Sequence, residues 1–289
     1  MKLPVQPQHV SPGCKIKAPI FPHEKAIHEL REPRFVTHSP DNHLRPHVRG
    51  YLEALIREGI GVVLIVVADS GFVSDEPWLS DLVDGLFVRE NGGFDFAAWA
   101  HVLQLQNQLH DADALYLLND SVLGPVSADA FHTAIERVRS TPGDLVGMTE
   151  NYDRGWHIQS YFLVLRQQAL HSTAWRKFLH HIESLANKED AIDVYEVKLA
   201  AEMVKAGLRA GVAFKTNFRS DPTVYRWREL LEDGFPFIKI KTIRDNIPDV
   251  DNSGWRLALM DQGFDVSIAD ELLGTTSRKT ERASCKSMR

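Results

Sequence analysis

The sequence predicts an α/β protein with a mainly parallel sheet flanked by helices and a less regular C-terminal region. Three observations predict it. Short β-branched runs alternate with segments of helical period. One run, residues 62–68 (VVLIVVA), is apolar on both faces, as a central parallel strand must be. Polar residues follow each of the first four runs, as at the carboxyl edge of an open sheet.

The elements follow in order. Eight of the 14 prolines precede residue 47, and residues 1–33 show neither a period of 2 nor one of 3.6, so they read as an extended, partly disordered arm. Residues 34–39 (RFVTHS) form a first strand. Val48, Tyr51, Leu52, Leu55 and Ile56 then recur at helical spacing until Gly59 and Gly61 end the helix. After the 62–68 strand come strands at 86–88 and 114–118 (ALYLL), with a helix at 97–105 between them. This is a Rossmann-like, nucleotide-binding type of half.

The second half predicts strands at 145–148, 158–165 and 212–216, and helices at 174–185, 192–206 and 223–232. Val194, Val197, Ala201 and Val204 supply the expected buried stripe of the 192–206 helix. Residues 241–274 are loosely patterned, and 275–289 are polar and basic, which suits a solvated tail. One domain, 34–274, lies between arm and tail.

A net charge of −6, from 33 basic and 39 acidic residues, provides no overall field for nucleic acid. The longest apolar run is far shorter than the roughly 20 residues a transmembrane helix needs. Pro4, Pro7 and Pro12 interrupt any secretory signal, and Cys14 and Cys285 are the only cysteines, so a cytoplasmic setting is expected.

Four polar sets trail the first four strands: Thr37 and His38; Asp69 and Ser70; Arg89, Asn91, Gly92, Gly93 and Asp95; Asn119, Asp120 and Ser121. Any one set is ordinary turn chemistry. Four in succession on one edge point to a ligand site. Gly92 and Gly93 would let a ligand approach the backbone at a helix N-terminus, an anion-favouring position to which Arg89 adds charge. Asp95 by itself reads as a helix cap. Asp120 could hold a divalent cation, although Asn-Asp-Ser is equally an Asx turn. Glu196, on a helix, could serve as a general base or could simply be solvated, and Asp193 suits the helix N-terminus. His157, Gln159, Ser160 and Tyr161 start a strand in the second half. Trp99 and Trp156 are core or groove residues that could also face a sugar. No hydrolase triad or zinc spacing is visible.

The succession RENGGFDFAAW, LYLLNDSVLGP, HIQSYFLVLRQQAL and VYEVKLAAEMVKAG resembles the rhamnan synthesis protein F family, polysaccharide-assembly glycosyltransferases of bacteria. The resemblance runs from about Arg34 to about Ile240. It implies a GT-A-like fold with a donor half (34–126), an acceptor half (127–240) and a C-terminal helical region. It further implies transfer of a sugar, rhamnose or another deoxysugar, from a nucleoside diphosphate sugar to a cell-surface polysaccharide or lipopolysaccharide, with inversion. Asp69 would face the nucleotide base, with Thr37, His38, Ser70, Arg89, Asn91, Gly93, Asp95, Asn119 and Ser121 around the donor. Asp120 would hold Mg2+ or Mn2+, Glu196 would be the catalytic base, and His157, Gln159, Ser160 and Tyr161 would meet the glycan acceptor. The sequence leaves open a place at the inner face of the cell membrane: the basic tail could touch anionic lipid, but it is too short and mixed to establish that contact. One departure stands out: the D-x-D places hold Asn119 and Ser121, which puts metal dependence in question. The competing reading is a non-catalytic GT-A-like scaffold in a polysaccharide-synthesis complex.

Overall fold

The computed structural model describes residues 16–17, 33–41, 43–69, 72, 76–106 and 110–274. Most of the arm, all of the tail, both cysteines and Ser70 lie outside the described residues. Among those described, no helix is long and apolar enough to cross a membrane.

The strands are β1 (Ile16–Lys17), β2 (Pro33–Ser39), β3 (Val63–Ala68), β4 (Gly85–Glu90), β5 (Ala114–Asn119), β6 (Val122–Leu123), β7 (Leu145–Asn151), β8 (His157–Ile158), β9 (Phe162–Arg166), β10 (Ala210–Phe214) and β11 (Ile238–Lys239). The main sheet runs β1-β4-β3-β2-β5-β9-β7-β10, with β8 paired on β7. It is mixed but mostly parallel. The pairs β2–β3, β3–β4, β2–β5 and β7–β10 are parallel, while β9 runs antiparallel to both β5 and β7. Counted from β2, the first four strands stand in the order third, second, first, fourth, so the order reverses between β2 and β5. That reversal opens a crevice at their carboxyl ends.

Helices cover both faces because every residue of β3 is buried, which leaves the strand no solvent side. Pro46–Arg57 packs Val48, Tyr51, Leu52 and Leu55 into one core with Phe35, Leu64 and Phe131. Phe94–Leu105 covers the other face, where Phe96, Trp99 and Leu103 meet Ile65, Val67 and Leu117. A third cluster joins Leu123, Val126, Trp227, Ile238, Trp255 and Leu259.

The expected strands and helices of the first half occur close to their predicted bounds. The second half departs more. Helix Ala128–Ser140, started by a Ser127 side-chain cap, was not predicted. The expected 158–165 strand is two strands separated by a turn at 159–161, which takes Gln159 and Ser160 out of the main ladder. The expected 192–206 helix opens with a π-helical turn, Ile192–Glu196, before Val197–Lys205. Tyr195, Leu199, Ala200 and Met203 are buried while Val194, Ala201 and Val204 are exposed, so the buried stripe is not the expected one. Both stripes have helical spacing, and period alone does not choose between them. The expected 174–185 helix ends at His180, and the 223–232 helix is split into Pro222–Tyr225 and Trp227–Glu232.

Candidate active site

The crevice at the β2/β5 reversal holds a cavity of about 310 Å³. Strand register builds its floor. His38 pairs with Val67 and Val36 with Asn119, which puts side chains from three adjacent strands on one face. All four line the cavity, together with Asn91, Asp95, Asp120 and Ser121.

Asp120 is held firmly. Its Oδ2 accepts from the Thr37 hydroxyl at 2.7 Å and from the His38 backbone N–H at 3.2 Å, and lies 3.5 Å from Arg45 Nε. Its backbone carbonyl lies 3.1 Å from Nε2 of buried His47. Asn119 turns back on itself, its Oδ1 accepting from the Ser121 N–H at 3.0 Å, and its amide donates to Asp95 Oδ2 at 2.7 Å. A divalent cation is a poor fit here. It asks for several converging oxygens, yet one Asp120 oxygen is already shared by a hydroxyl, an amide and a guanidinium, and Asn119 Oδ1 is taken by its own turn. Among the described residues no group of three or more His, Cys, Asp or Glu side chains could hold a metal.

Asp95 lies in the first turn of helix Phe94–Leu105, but the cap position belongs to Gly93, which corrects the capping expectation. The Asp95 carboxyl faces the cavity. Burial and then the nearby Asp120 charge push its pKa up to about 6, with Glu196 adding to the rise and Lys188 and the Asn119 bond opposing it.

Two donor-loop expectations change. Gly93 has φ 72°, and a Cβ there would come 2.5 Å from Ala97 Cβ and 2.8 Å from Ser184 Cα, so its bareness admits the loop at Ser184 rather than a ligand. Arg89 lies on β4 beside Val67 in register, buried to 2% exposure, and does not line the cavity. Its charge acts on His101 of helix Phe94–Leu105, where burial first and Arg89 second press the imidazole down to about 4. At the outer rim, Asp69 Oδ1 accepts from the Asn91 amide at 2.6 Å and lies 3.2 Å from His38 Nε2.

The cations facing the cavity come from elsewhere: Arg45, Lys188, Lys239, Lys241 and Arg244. Three of them arrive through a small ladder. β11 pairs antiparallel with β6, setting Lys239 opposite Val122, and the Ile240 N–H donates to the Ser121 carbonyl at 3.0 Å. The C-terminal segment is thereby laid against the Asn119–Ser121 turn. Asp221 steadies it, its Oδ2 lying 2.9 Å from Lys241 Nζ and 3.6 Å from Lys239 Nζ. These lysines hold the Asp221 carboxyl far below its ordinary range despite burial. Sequence reasoning missed them because the region has little periodicity, and a two-residue strand leaves no pattern of its own.

Glu196 stands beside this group rather than in the cavity lining. Its Oε2 accepts from the Ser160 N–H at 3.0 Å and from the Ser160 hydroxyl, and Oε1 lies 3.6 Å from His157 Nε2. Burial raises its pKa, but the His157 bond, the Lys239 charge and Ser160 outweigh it and leave the carboxyl below its ordinary value. Gln159 and Tyr161, expected to touch an acceptor, are 2% exposed and engaged internally. Gln159 bridges the Thr149 hydroxyl and Asp221, while the Tyr161 hydroxyl pairs with Thr149 at 2.6 Å. Trp99 is core, and the Trp156 indole donates to Glu150 at 2.8 Å. Asp193 is drawn from its helix end to Arg154, 2.6 Å away.

A family model described as Rhamnan synthesis protein F matches residues 64–281, about three quarters of the chain. The chain belongs to the rhamnan synthesis protein F family. Membership associates it with polysaccharide synthesis. In this rhamnan synthesis protein F chain the matched span holds Asp69, Asn91, Asp95, Asn119, Asp120, Glu196 and the three C-terminal cations, whereas Thr37, His38 and Arg45 precede it. The virulence protein VirA of Vibrio anguillarum (strain ATCC 68554 / 775) is 25% identical over 220 residues, covering 64% of this chain and 70% of VirA. A second VirA from Vibrio anguillarum matches to the same extent. The crystal structure of A197 from STIV is similar with 13% identity and a TM-score of 0.29, over 63% of this chain and 81% of that one, a likeness too low to carry an argument.

Proposed function

We propose that this protein is a GT-A-like glycosyltransferase that moves a sugar from a nucleoside diphosphate sugar to a hydroxyl of a growing cell-surface polysaccharide. The observation that carries the reading is the cavity at the strand-order reversal, where five cations face two carboxylates. A nucleoside diphosphate needs such a pairing: positive groups for its phosphates and polar groups for its ribose and base. The rim cluster of His38, Asp69 and Asn91 suits the nucleoside end. Family membership supports the polysaccharide setting, and rhamnose is the first sugar to try.

In the transfer, the acceptor oxygen forms a bond to the anomeric carbon as the bond from that carbon to the diphosphate breaks. The bonding pair leaves on a β-phosphate oxygen, and the acceptor proton passes to a carboxylate. Glu196 is the proposed base, held by Ser160 and beside His157. One observation favours a second candidate for that role: Asp95 lines the cavity itself, and its carboxyl titrates near 6.

The test is an assay of the full chain with UDP-, dTDP- and GDP-sugars, rhamnose among them, scoring transfer to a rhamnan acceptor and donor hydrolysis. Turnover that disappears in Glu196→Gln supports the assignment, and unchanged turnover removes it. No turnover and no nucleotide binding favour the scaffold reading.

A further inference from the structure

We infer that this chain neutralises the leaving diphosphate with the C-terminal trio Lys239, Lys241 and Arg244, aided by Arg45 and Lys188, and needs no divalent cation. The inference rests on the donor reading and makes it more specific. In the transfer step the electron pair of the broken bond collects on a β-phosphate oxygen, so something positive must already face that oxygen. A metal held by a carboxylate pair is one solution, but here it meets the obstacles of the Asn119–Ser121 turn. Asp120 is the only carboxylate in that turn, and its Oδ2 accepts from Thr37 and the His38 N–H while lying 3.5 Å from Arg45. A cation brought to this oxygen would have to displace Arg45, whose own charge would oppose it.

The adjoining C-terminal segment supplies what the metal would. Lys239 and Lys241 are positioned by Asp221, itself fixed by bonds from Thr223 and Gln159. Lys239 also lies over the Tyr161 ring at 5.5 Å, so its ammonium is braced from two sides. Arg244 is joined to Asp245 through two donors at 2.6 and 2.8 Å, leaving part of its five-donor fork available. β11 and the Ile240 bond to Ser121 set this segment beside the turn, so charge complementarity does not depend on an ion's being recruited. The cradle also explains why three basic residues fall within six positions of a region otherwise loosely patterned.

The test is calorimetric titration of the full chain with UDP, dTDP and GDP, first in excess EDTA and then in excess Mn2+. The inference expects at least one of the three to bind in EDTA, with less than a threefold change on adding Mn2+. It also expects at least tenfold weaker binding in Arg244→Ala and in Lys241→Ala, each checked for an unchanged thermal transition. Arg244 is exposed, so its variant keeps the fold even if Lys241→Ala loses it. Binding that appears only with Mn2+, or tightens more than tenfold, overturns the inference and leaves the donor reading standing. Unchanged affinity in Arg244→Ala also overturns the cradle. No binding under either condition brings down the donor reading and this inference together.

Discussion

Lys239 Nζ lies 3.6 Å from Asp221 Oδ2, and through this pair the C-terminal segment is fastened to the wall that also holds Glu196. Asp221 is almost wholly buried, so removing it leaves Lys239 and Lys241 without their counter-charge. Asp221→Ala should cost about 3 kcal/mol of stability, less than a fully desolvated pair because Lys241 is partly exposed. Chemical denaturation at pH 7 measures it. The Asp221 carboxyl is depressed in the folded state, so its contribution is complete above the unfolded value near 3.9 and fades as pH falls below it. The variant's deficit should therefore shrink on acidification below about pH 4.

The two candidate bases differ in how they titrate. Glu196 is held below its ordinary value, whereas Asp95 is pushed up to about 6. With Glu196 as base, kcat/KM loses no activity to that group down to the ordinary carboxylate range, and Glu196→Gln lowers kcat by at least about 100-fold. A limb falling below about pH 6, abolished in Asp95→Asn, would hand the role to Asp95.

Asp95 also carries a stability cost. Its folded pKa is raised, so folding favours the protonated form and stability falls as pH rises from the unfolded value through about 6. Asp95→Asn keeps the partner for Asn119 but removes the charge. It should stabilise the protein by about 2–3 kcal/mol at pH 7 and by only about 0.5 kcal/mol at pH 4. Thermal melts at the two pH values decide the matter.

Gly93→Ala meets three obstacles, a left-handed φ of 72°, Ala97 Cβ at 2.5 Å and Ser184 backbone at 2.8 Å. A loss of about 2–4 kcal/mol is expected, with the Ser184 loop displaced. Gly207→Ala, also at positive φ but with open space around it, should cost only about 1 kcal/mol. Denaturation midpoints of the pair separate steric from conformational strain.

Arg166 binds the end of helix Ala128–Ser140. Its guanidinium donates to the carbonyls of Val138, Arg139, Thr141 and Gly143 at 2.8 to 3.3 Å. Arg166→Ala leaves those carbonyls short of donors and removes a cation from a helix C-terminus, at about 2–3 kcal/mol. Amide exchange in the last turn of that helix should rise most.

The sequence by itself determined the first half. A buried parallel strand cannot alternate, so residues 62–68 announced themselves, and the turn residues after each run marked the sheet edge where His38, Asn91, Asn119 and Asp120 converge, with Thr37 bonded to Asp120 behind them. The family motifs added Glu196, whose helical context alone argued for nothing. What only the tertiary structure decided depends on long-range placement. Arg89 shares the sheet face of Val67 but stands on β4, two strands from the β2/β5 reversal, where its charge meets His101 of helix Phe94–Leu105 instead of the cavity. Which helically spaced stripe before Lys205 is buried was chosen by packing, which sets Tyr195, Leu199 and Met203 against the sheet with Leu163 and Val212. Three of the cavity's five cations, Lys239, Lys241 and Arg244, come from more than 100 residues after the turn, carried by a two-residue ladder between β6 and β11. Local period reports which face of one element is apolar; it holds no information about which distant charge will be brought opposite.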